Sequence, residues 1–159
     1  MLRLSKLTDY GIMLLVYLAN GEEEKHQTST HLAKLSKIPS PTASKILKIL
    51  AKAGLVQAHR GKLGGYQLAR PATEITVADM IEAMEGPLAI TECSGSAEAS
   101  CELEPACPTQ NNWKRINRAV VGALQGVTLA DMDRPHSGEM EAEVGHYRLG
   151  VLPAKRSLG

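Results

Sequence analysis

Cys93, Cys101 and Cys107 lie in one segment of a 159-residue chain, with seven and five residues between them, and they are its only cysteines. An odd number cannot all be joined in intrachain disulfides. Grouped thiolates are soft ligands, suited to iron–sulfur clusters, zinc or copper. Structural zinc usually takes four ligands, often as paired C-x2-C knuckles, and these gaps are wider and the cysteines only three. An iron–sulfur cluster completed by a fourth, non-cysteine ligand fits the donor set better, with [2Fe–2S] preferred over [4Fe–4S]. The alternative is three unliganded thiols acting as small hydrophobes. Against it, the segment 91–108 is rich in Ser, Glu, Ala and Pro, too polar for packed core.

A second set of side chains could grip nucleic acid. Ser40, Thr42, Ser44 and Lys45 stand at the start of a helical segment, and Lys48 and Lys52 continue its outer side. A helix entering the major groove needs donors there, and cations facing phosphates gain by releasing counterions. Arg60 and Lys62 lie on a Gly-rich turn, Arg60-Gly-Lys-Leu-Gly-Gly65, between two strand-like stretches. A basic wing tip of that kind can enter the negative minor groove. Lysines on an outer helical face are otherwise simply solvated.

Charge distribution weighs on the side of nucleic acid. Residues 1–70 hold 11 Lys+Arg against 4 Asp+Glu, a balance of +7. Residues 71–133 hold 3 against 10, a balance of −7, and residues 134–159 hold 4 against 3. The whole-chain value of +1 conceals a basic half joined to an acidic half, so only the first half is expected to meet a polyanion. The Gly-rich turn is no nucleotide loop, since GxxxxGK[ST] must precede a helix and a strand follows here. No Ser/His/Asp order or carboxylate pair stands out, and no enzyme is expected.

These groups need elements to hold them. Residues 7–19 read as a largely buried helix capped by Thr8 or Ser5. A second helix is expected over 29–36, with Leu32, Ala33 and Leu35 inward, then a break at Ile38-Pro39-Ser40. In the third helix Ser40 caps, Pro41 takes the first position, and Ala43, Ile46, Leu47 and Leu50 face inward. Gly54 ends it in a left-handed conformation. Segments 55–59 and 66–69 form a β-hairpin.

Beyond Pro71, Thr76 caps a helix over 77–85 with Val77, Met80, Ile81 and Met84 on one stripe. After the cysteine loop a longer helix, about 109–124, carries Trp113, Ile116, Ala119, Val120, Ala123 and Leu124 on one face. That face packs either at a dimer seam or in an intrachain core. Residues 128–132 read as a final helical turn, and 134–159 as a disordered tail. The fold class is mainly α with a small β-hairpin wing: a winged helix-turn-helix plus a long dimerisation helix. Its parts are a DNA-binding region at 1–70, a linker helix and cluster loop at 71–108, the dimerisation helix at 109–133, and the tail.

The apolar run Ile12–Ala19 is short, follows Asp9 and leads into Asn20-Gly21, unlike a secretory signal. No stretch has the length of a membrane span. A cytoplasmic location without membrane attachment is the expectation, and in reducing surroundings grouped cysteines more often bind metal than staple a fold.

Four segments together carry a resemblance: the opening Met1 to Gly11 (MLRLSKLTDYG), Lys52-Ala-Gly-Leu-Val56, the hairpin Arg60 to Tyr66, and the three-cysteine loop. Over about residues 1–132 the chain resembles the IscR/NsrR family of iron–sulfur winged-helix regulators, and its opening looks especially like the subgroup regulating the SUF cluster-assembly operon. The resemblance implies a homodimer on a pseudo-palindromic operator in double-stranded DNA, with the long helix as its interface. It puts Cys93, Cys101 and Cys107 on the family's ligand positions, Arg60 on its wing arginine, and Thr42 to Lys45 on its base-reading turn. The first cysteine gap is longer than the family's usual five residues. Gln110 stands where IscR has a ligating His, so the fourth ligand position is open. In NsrR-type members an Asp in the partner's first helix serves, and Asp9 stands at that place. Asp9 equally suits the N-terminal dipole of its helix; His26, His31 and His59 are further alternatives.

The expected function is a DNA-binding transcription regulator that senses iron–sulfur cluster status and controls cluster-assembly genes. The alternatives are a redox or nitric oxide sensor on the same scaffold, a zinc-stabilised DNA binder, and a protein-interaction module that uses the winged helix without DNA.

Overall fold

The computed structural model describes residues 3–21, 26–61, 64–95 and 106–133. Cys101, Lys62 and the tail 134–159 lie outside the described residues.

Helix α1 (Lys6–Ala19) begins at Ser5, whose extended backbone lets its Oγ accept the Thr8 amide at 3.2 Å. Ser5 is thus the cap, while Thr8, the other candidate, is fully buried one turn in. Leu14 and Leu15 are fully buried as well. Helix α2 (Ser29–Ser36) is capped by Thr28, which accepts from the His31 amide at 3.1 Å. Leu32 and Ala33 enter the core, but Leu35, expected inward, is exposed. At 3.6 residues per turn it points roughly 110° away from the direction midway between those two.

The break between α2 and α3 is made by Lys37, whose φ of 57° reverses the chain in left-handed backbone, and by the buried Ile38. Helix α3 (Ser40–Lys52) corrects the expected cap. Pro39 occupies the cap position, and its carbonyl accepts the Ala43 amide at 3.0 Å, while Ser40 is the first helical residue. The helix is therefore entered by backbone geometry, without a side-chain cap. Ala43, Ile46, Leu47 and Leu50 form the buried face as expected. Gly54, at φ +76°, turns the chain away.

Strands β1 (Val56–His59) and β2 (Gly65–Leu68) pair antiparallel, Val56 opposite Leu68 and His59 opposite Gly65. A third piece joins them. Gln27 exchanges both backbone hydrogen bonds with Tyr66, at 2.9 and 2.8 Å, so the wing is stitched to the approach to α2. This requires glycine at 65, where a Cβ would sit 2.8 Å from the Gln27 carbonyl group. Beside this stitch the His26 and His59 rings stack, 3.9 Å apart and nearly parallel.

A 3-10 turn (Ala72–Glu74) and the buried Ile75 lead to α4 (Val77–Glu85). Thr76 and Asp79 close a reciprocal capping box there, and Arg70 pairs with Asp79 at 2.8 Å. A second 3-10 turn (Glu92–Ser94) precedes α5 (Gln110–Gln125) and the short α6 (Leu129–Met132). The chain then returns to the body. The Val77 amide donates to the Val127 carbonyl at 2.8 Å and the Leu129 amide to that of Ile75 at 2.7 Å. Leu129 is fully buried, with α6 against α1.

The core is one aliphatic cluster centred on Leu14, Leu15, Leu32, Ile46, Leu47 and Leu50, extended by Ile75, Met80 and Leu129. The chain is mainly α with a hairpin wing, a winged helix. Helix α5 differs from the rest: Asn117 is its one buried residue, while Trp113, Ile116 and Val120 are exposed. Its apolar stripe is thus divided: Leu124 packs against the core, while Trp113, Ile116 and Val120 do not. Among the described residues no helix is long and apolar enough to cross a membrane.

Candidate functional site

Two surfaces carry the residues singled out by type and spacing. The first is built by α3 and the wing. Helix α3 rests its aliphatic side on α1 and α2, which turns Ser40, Lys45, Lys48 and Lys52 outward, with Thr42 and Ser44 half-buried at its start. Arg60 is exposed at the wing tip, where Gly61 takes φ +112°. Among the described residues Lys45, Lys48, Lys52 and Arg60 make no ion pair. Exposed cations on α3 and at the wing tip are suited to a polyanion.

The second surface surrounds the cysteine loop. Cys93 sits in the 3-10 turn Glu92–Ser94, packed against α5. Its thiol is buried, which corrects the expectation of a wholly polar, unpacked loop. The turn is tied internally, the Thr91 amide donating to Ser94 Oγ at 3.0 Å and Ser94 Oγ to the Thr91 carbonyl at 2.8 Å. The turn is also fastened to α5. Asn117 Oδ1 accepts the Ile90 amide at 3.0 Å, and its Nδ2 donates to the carbonyls of Leu88 and Ser94 at 3.1 and 3.2 Å. Cys107 is half-buried three residues before α5. Each described thiol lies 3.4 Å from a threonine hydroxyl, Cys93 from Thr91 and Cys107 from Thr109.

The described residues thus place Cys93 against α5 and Cys107 three residues before that helix, at either end of the segment that holds Cys101. Soft sulfur donors with neighbouring hydroxyls are chemically suited to an iron–sulfur cluster, whose potential responds to hydrogen bonds at sulfur. Among the described residues no group of three or more His, Cys, Asp or Glu side chains is gathered as for a metal ion, and Cys101 is outside that set. Of the fourth-ligand candidates, Asp9 is exposed in the first turn of α1 and Gln110 opens α5. His31 is exposed, and among the described residues the half-buried His26 has no hydrogen-bond partner for its Nδ1.

Two groups escaped the sequence reading. Asn117 is one; its signal was a polar residue interrupting the stripe Trp113, Ile116, Val120, Leu124. The other is Glu85 at the end of α4, whose Oε1 accepts from the Thr8 hydroxyl at 2.5 Å and from the Ser5 amide at 2.8 Å. The Thr8 hydroxyl, then the Ser5 amide, hold its carboxyl below the usual range, against a smaller opposing effect of burial. This ties the helix bearing Asp9 to the element from which the cysteine segment departs. A Glu at a helix end carries no such signal, because its partners lie about eighty residues away.

Residues 4–134 match the model of the Rrf2 family, described as iron-dependent transcriptional regulators. The chain is 36% identical over 132 residues to the protein called aau3 of Rhizobium meliloti (strain 1021), covering 82% of this chain and 84% of that one. Among solved structures it is similar to CymR (YrzC), the global cysteine regulator of B. subtilis, with 30% identity and a TM-score of 0.66. That likeness covers 84% of this chain and 97% of CymR. It is also similar to T. potens IscR, with 29% identity, a TM-score of 0.61, and 82% and 85% of the two chains covered.

Proposed function

Because the chain belongs to the Rrf2 family of transcriptional regulators, we propose that it is a DNA-binding homodimer reporting iron–sulfur cluster status. Members of this family are regulators and not enzymes. In this reading Cys93, Cys101 and Cys107 hold the cluster, [2Fe–2S] ahead of [4Fe–4S], and Asp9 of the second copy is the candidate fourth ligand. The regulated genes are those of cluster assembly. Ser40, Thr42, Ser44 and Lys45 read bases in double-stranded DNA, Lys48 contacts phosphate, and Arg60 and Lys62 reach the minor groove of a pseudo-palindromic operator. Region 1–70 binds DNA, 71–108 carries the cluster, and 109–133 joins the two copies through Trp113, Ile116 and Val120. A cytoplasmic site of action follows from the target.

One observation carries this reading. Cys93 is packed against, and Cys107 lies three residues before, the same helix, which exposes Trp113, Ile116 and Val120. A group bound between the thiols therefore pulls on the helix that would set the distance between two DNA-reading heads. When bound, the cluster supplies a redox-labile, iron-dependent crosslink among the thiolates. The chain's own residues do the rest: the threonine hydroxyls orient sulfur, and Asn117 holds the turn. Any ligand shifts the DNA equilibrium only by its different affinity for the two arrangements.

The test is purification without oxygen, followed by iron, acid-labile sulfide and visible absorbance, for the unaltered chain and for Cys93→Ala, Cys101→Ala and Cys107→Ala. Iron and sulfide in the unaltered protein, lost in each variant, are expected. Colourless protein carrying zinc would sink the cluster reading and support the zinc-stabilised one. A second reading, thiol-based redox sensing without a cluster, is favoured by the similarity to CymR of B. subtilis, the global cysteine regulator, and to the oxidised form of Staphylococcus aureus CymR. It predicts iron-free protein whose DNA binding changes with thiol oxidation.

A further inference from the structure

The buried amide of Asn117 has a place in this arrangement that goes beyond packing. At 7% exposure it is the one buried residue of α5. Its three hydrogen bonds all go to backbone groups of another segment, and they straddle Cys93: Leu88 and Ile90 precede it, Ser94 follows. A side-chain amide has two donors and two acceptor sites, and both kinds are engaged here. Their geometry fits a single placement of the Cys93 turn on α5, because displacing the turn would leave buried polar groups without partners, which is costly. The contact is therefore disposed to be either made or broken. Helix α5 is also the element that exposes Trp113, Ile116 and Val120.

We propose that Asn117 is the positioning residue that passes ligand occupancy at Cys93 to α5. The inference rests on the cluster reading above and deepens it. When sulfur at Cys93 is held by a bound group, the turn is fixed and Asn117 locks it to α5. When the group is lost, the turn is released and α5 is free to shift. Lys114 and Arg118 flank Ser94 and Gly95 on the same side of the helix, so the released turn would also move against two cations.

The experiment compares full-length wild-type protein with Asn117→Ala and Asn117→Asp. Alanine removes all three bonds. Aspartate keeps the size and the acceptor for Ile90 but sets a carboxylate against the carbonyls of Leu88 and Ser94. Each protein is prepared without oxygen and measured loaded and after cluster removal, for iron, sulfide, melting temperature and affinity for a duplex selected from a random pool by the wild-type protein.

Wild type is expected to show a loaded-to-free affinity ratio within the usual range for coupled sites, roughly 5- to 150-fold. The variants are expected to keep the cluster on their three cysteines and to bind the duplex normally when free. Their ratio should fall to within about twofold of one. A staple that only stabilises the fold would lower both melting temperatures and leave the ratio untouched, and that result overturns the proposal. If the variants do not fold, amide exchange at Ile90 in the unaltered protein decides: slow exchange when loaded and at least about tenfold faster exchange when free is expected. Equal exchange in both forms overturns it. Wild-type protein that binds no cluster overturns this inference and the cluster reading together, whereas loaded variants with an unchanged ratio overturn this inference alone.

Discussion

A single carboxylate shows how residue chemistry reaches across the chain. Glu85 is exposed, yet its oxygen is claimed by Thr8 and Ser5 from the first turn of α1. These donors favour the ionised form, so its folded pKa lies below the ordinary 4.5. The group therefore stabilises the fold in full above 4.5, and that contribution is lost as pH falls through the lower, folded value. Glu85→Gln should unfold at lower temperature than wild type near neutral pH, and the two should converge on acidification below 4.5. Parallel melting curves at every pH would refute the linkage. Thr8→Val keeps the buried volume and removes the hydroxyl, at an expected cost of about 0.5–1.5 kcal/mol near neutral pH. Thermal or denaturant unfolding reads it directly, and the loss should shrink in the Glu85→Gln background because the two residues share one hydrogen bond.

At the scale of elements, the wing offers the sharpest test because its seat depends on one close backbone approach. Gly65→Ala would place a Cβ 2.8 Å from Gln27 backbone atoms, which cannot swing aside as a side chain can. The strand pairing with Gln27 should open while the helical core persists. The expected outcome is unchanged far-ultraviolet helix signal with affinity for DNA reduced about tenfold, as if the Arg60 contact were lost. Undiminished binding would mean that the wing needs no such anchor. This anchor was illegible in the sequence, since a single bridge at Gln27 is too short for alternation to register. Local signals elsewhere were sufficient: Thr76 before Val77, Gly54 after α3, and the aliphatic spacing of Ala43 to Leu50 each marked what the structure has. Ser40 misled because Pro39 already supplies the helix entry, and Leu35 because a two-turn helix has too few positions to define its inner face. The candidate site divides the same way. Cysteine spacing announces soft-ligand chemistry, whereas Asn117 matters through partners 23 to 29 residues away that no local pattern reports.

Over the whole molecule, the charge division along the sequence sets how salt should act on DNA binding. Lys45, Lys48, Lys52 and Arg60 are each exposed on the winged helix, while the half that follows residue 70 is net acidic. Binding dominated by phosphate contacts weakens with salt by about 0.9 logarithmic units per neutralised phosphate for each decade of concentration. In a homodimer each substitution is present twice. Lys48→Gln should therefore lower the slope by about 1.8 and leave sequence preference intact, because phosphate contacts position the protein without reading bases. A monomer on DNA would lose only about 0.9, which makes the slope a count of heads as well as of contacts. The exposed stripe on α5 supplies the control. Trp113→Glu sets a charge where two copies would have to bury an indole, and sedimentation should report monomers. In that background the further change Lys48→Gln should cost about 0.9, half its effect in the dimer. A slope change of the same size in both backgrounds would mean that α5 does not join the DNA-binding heads.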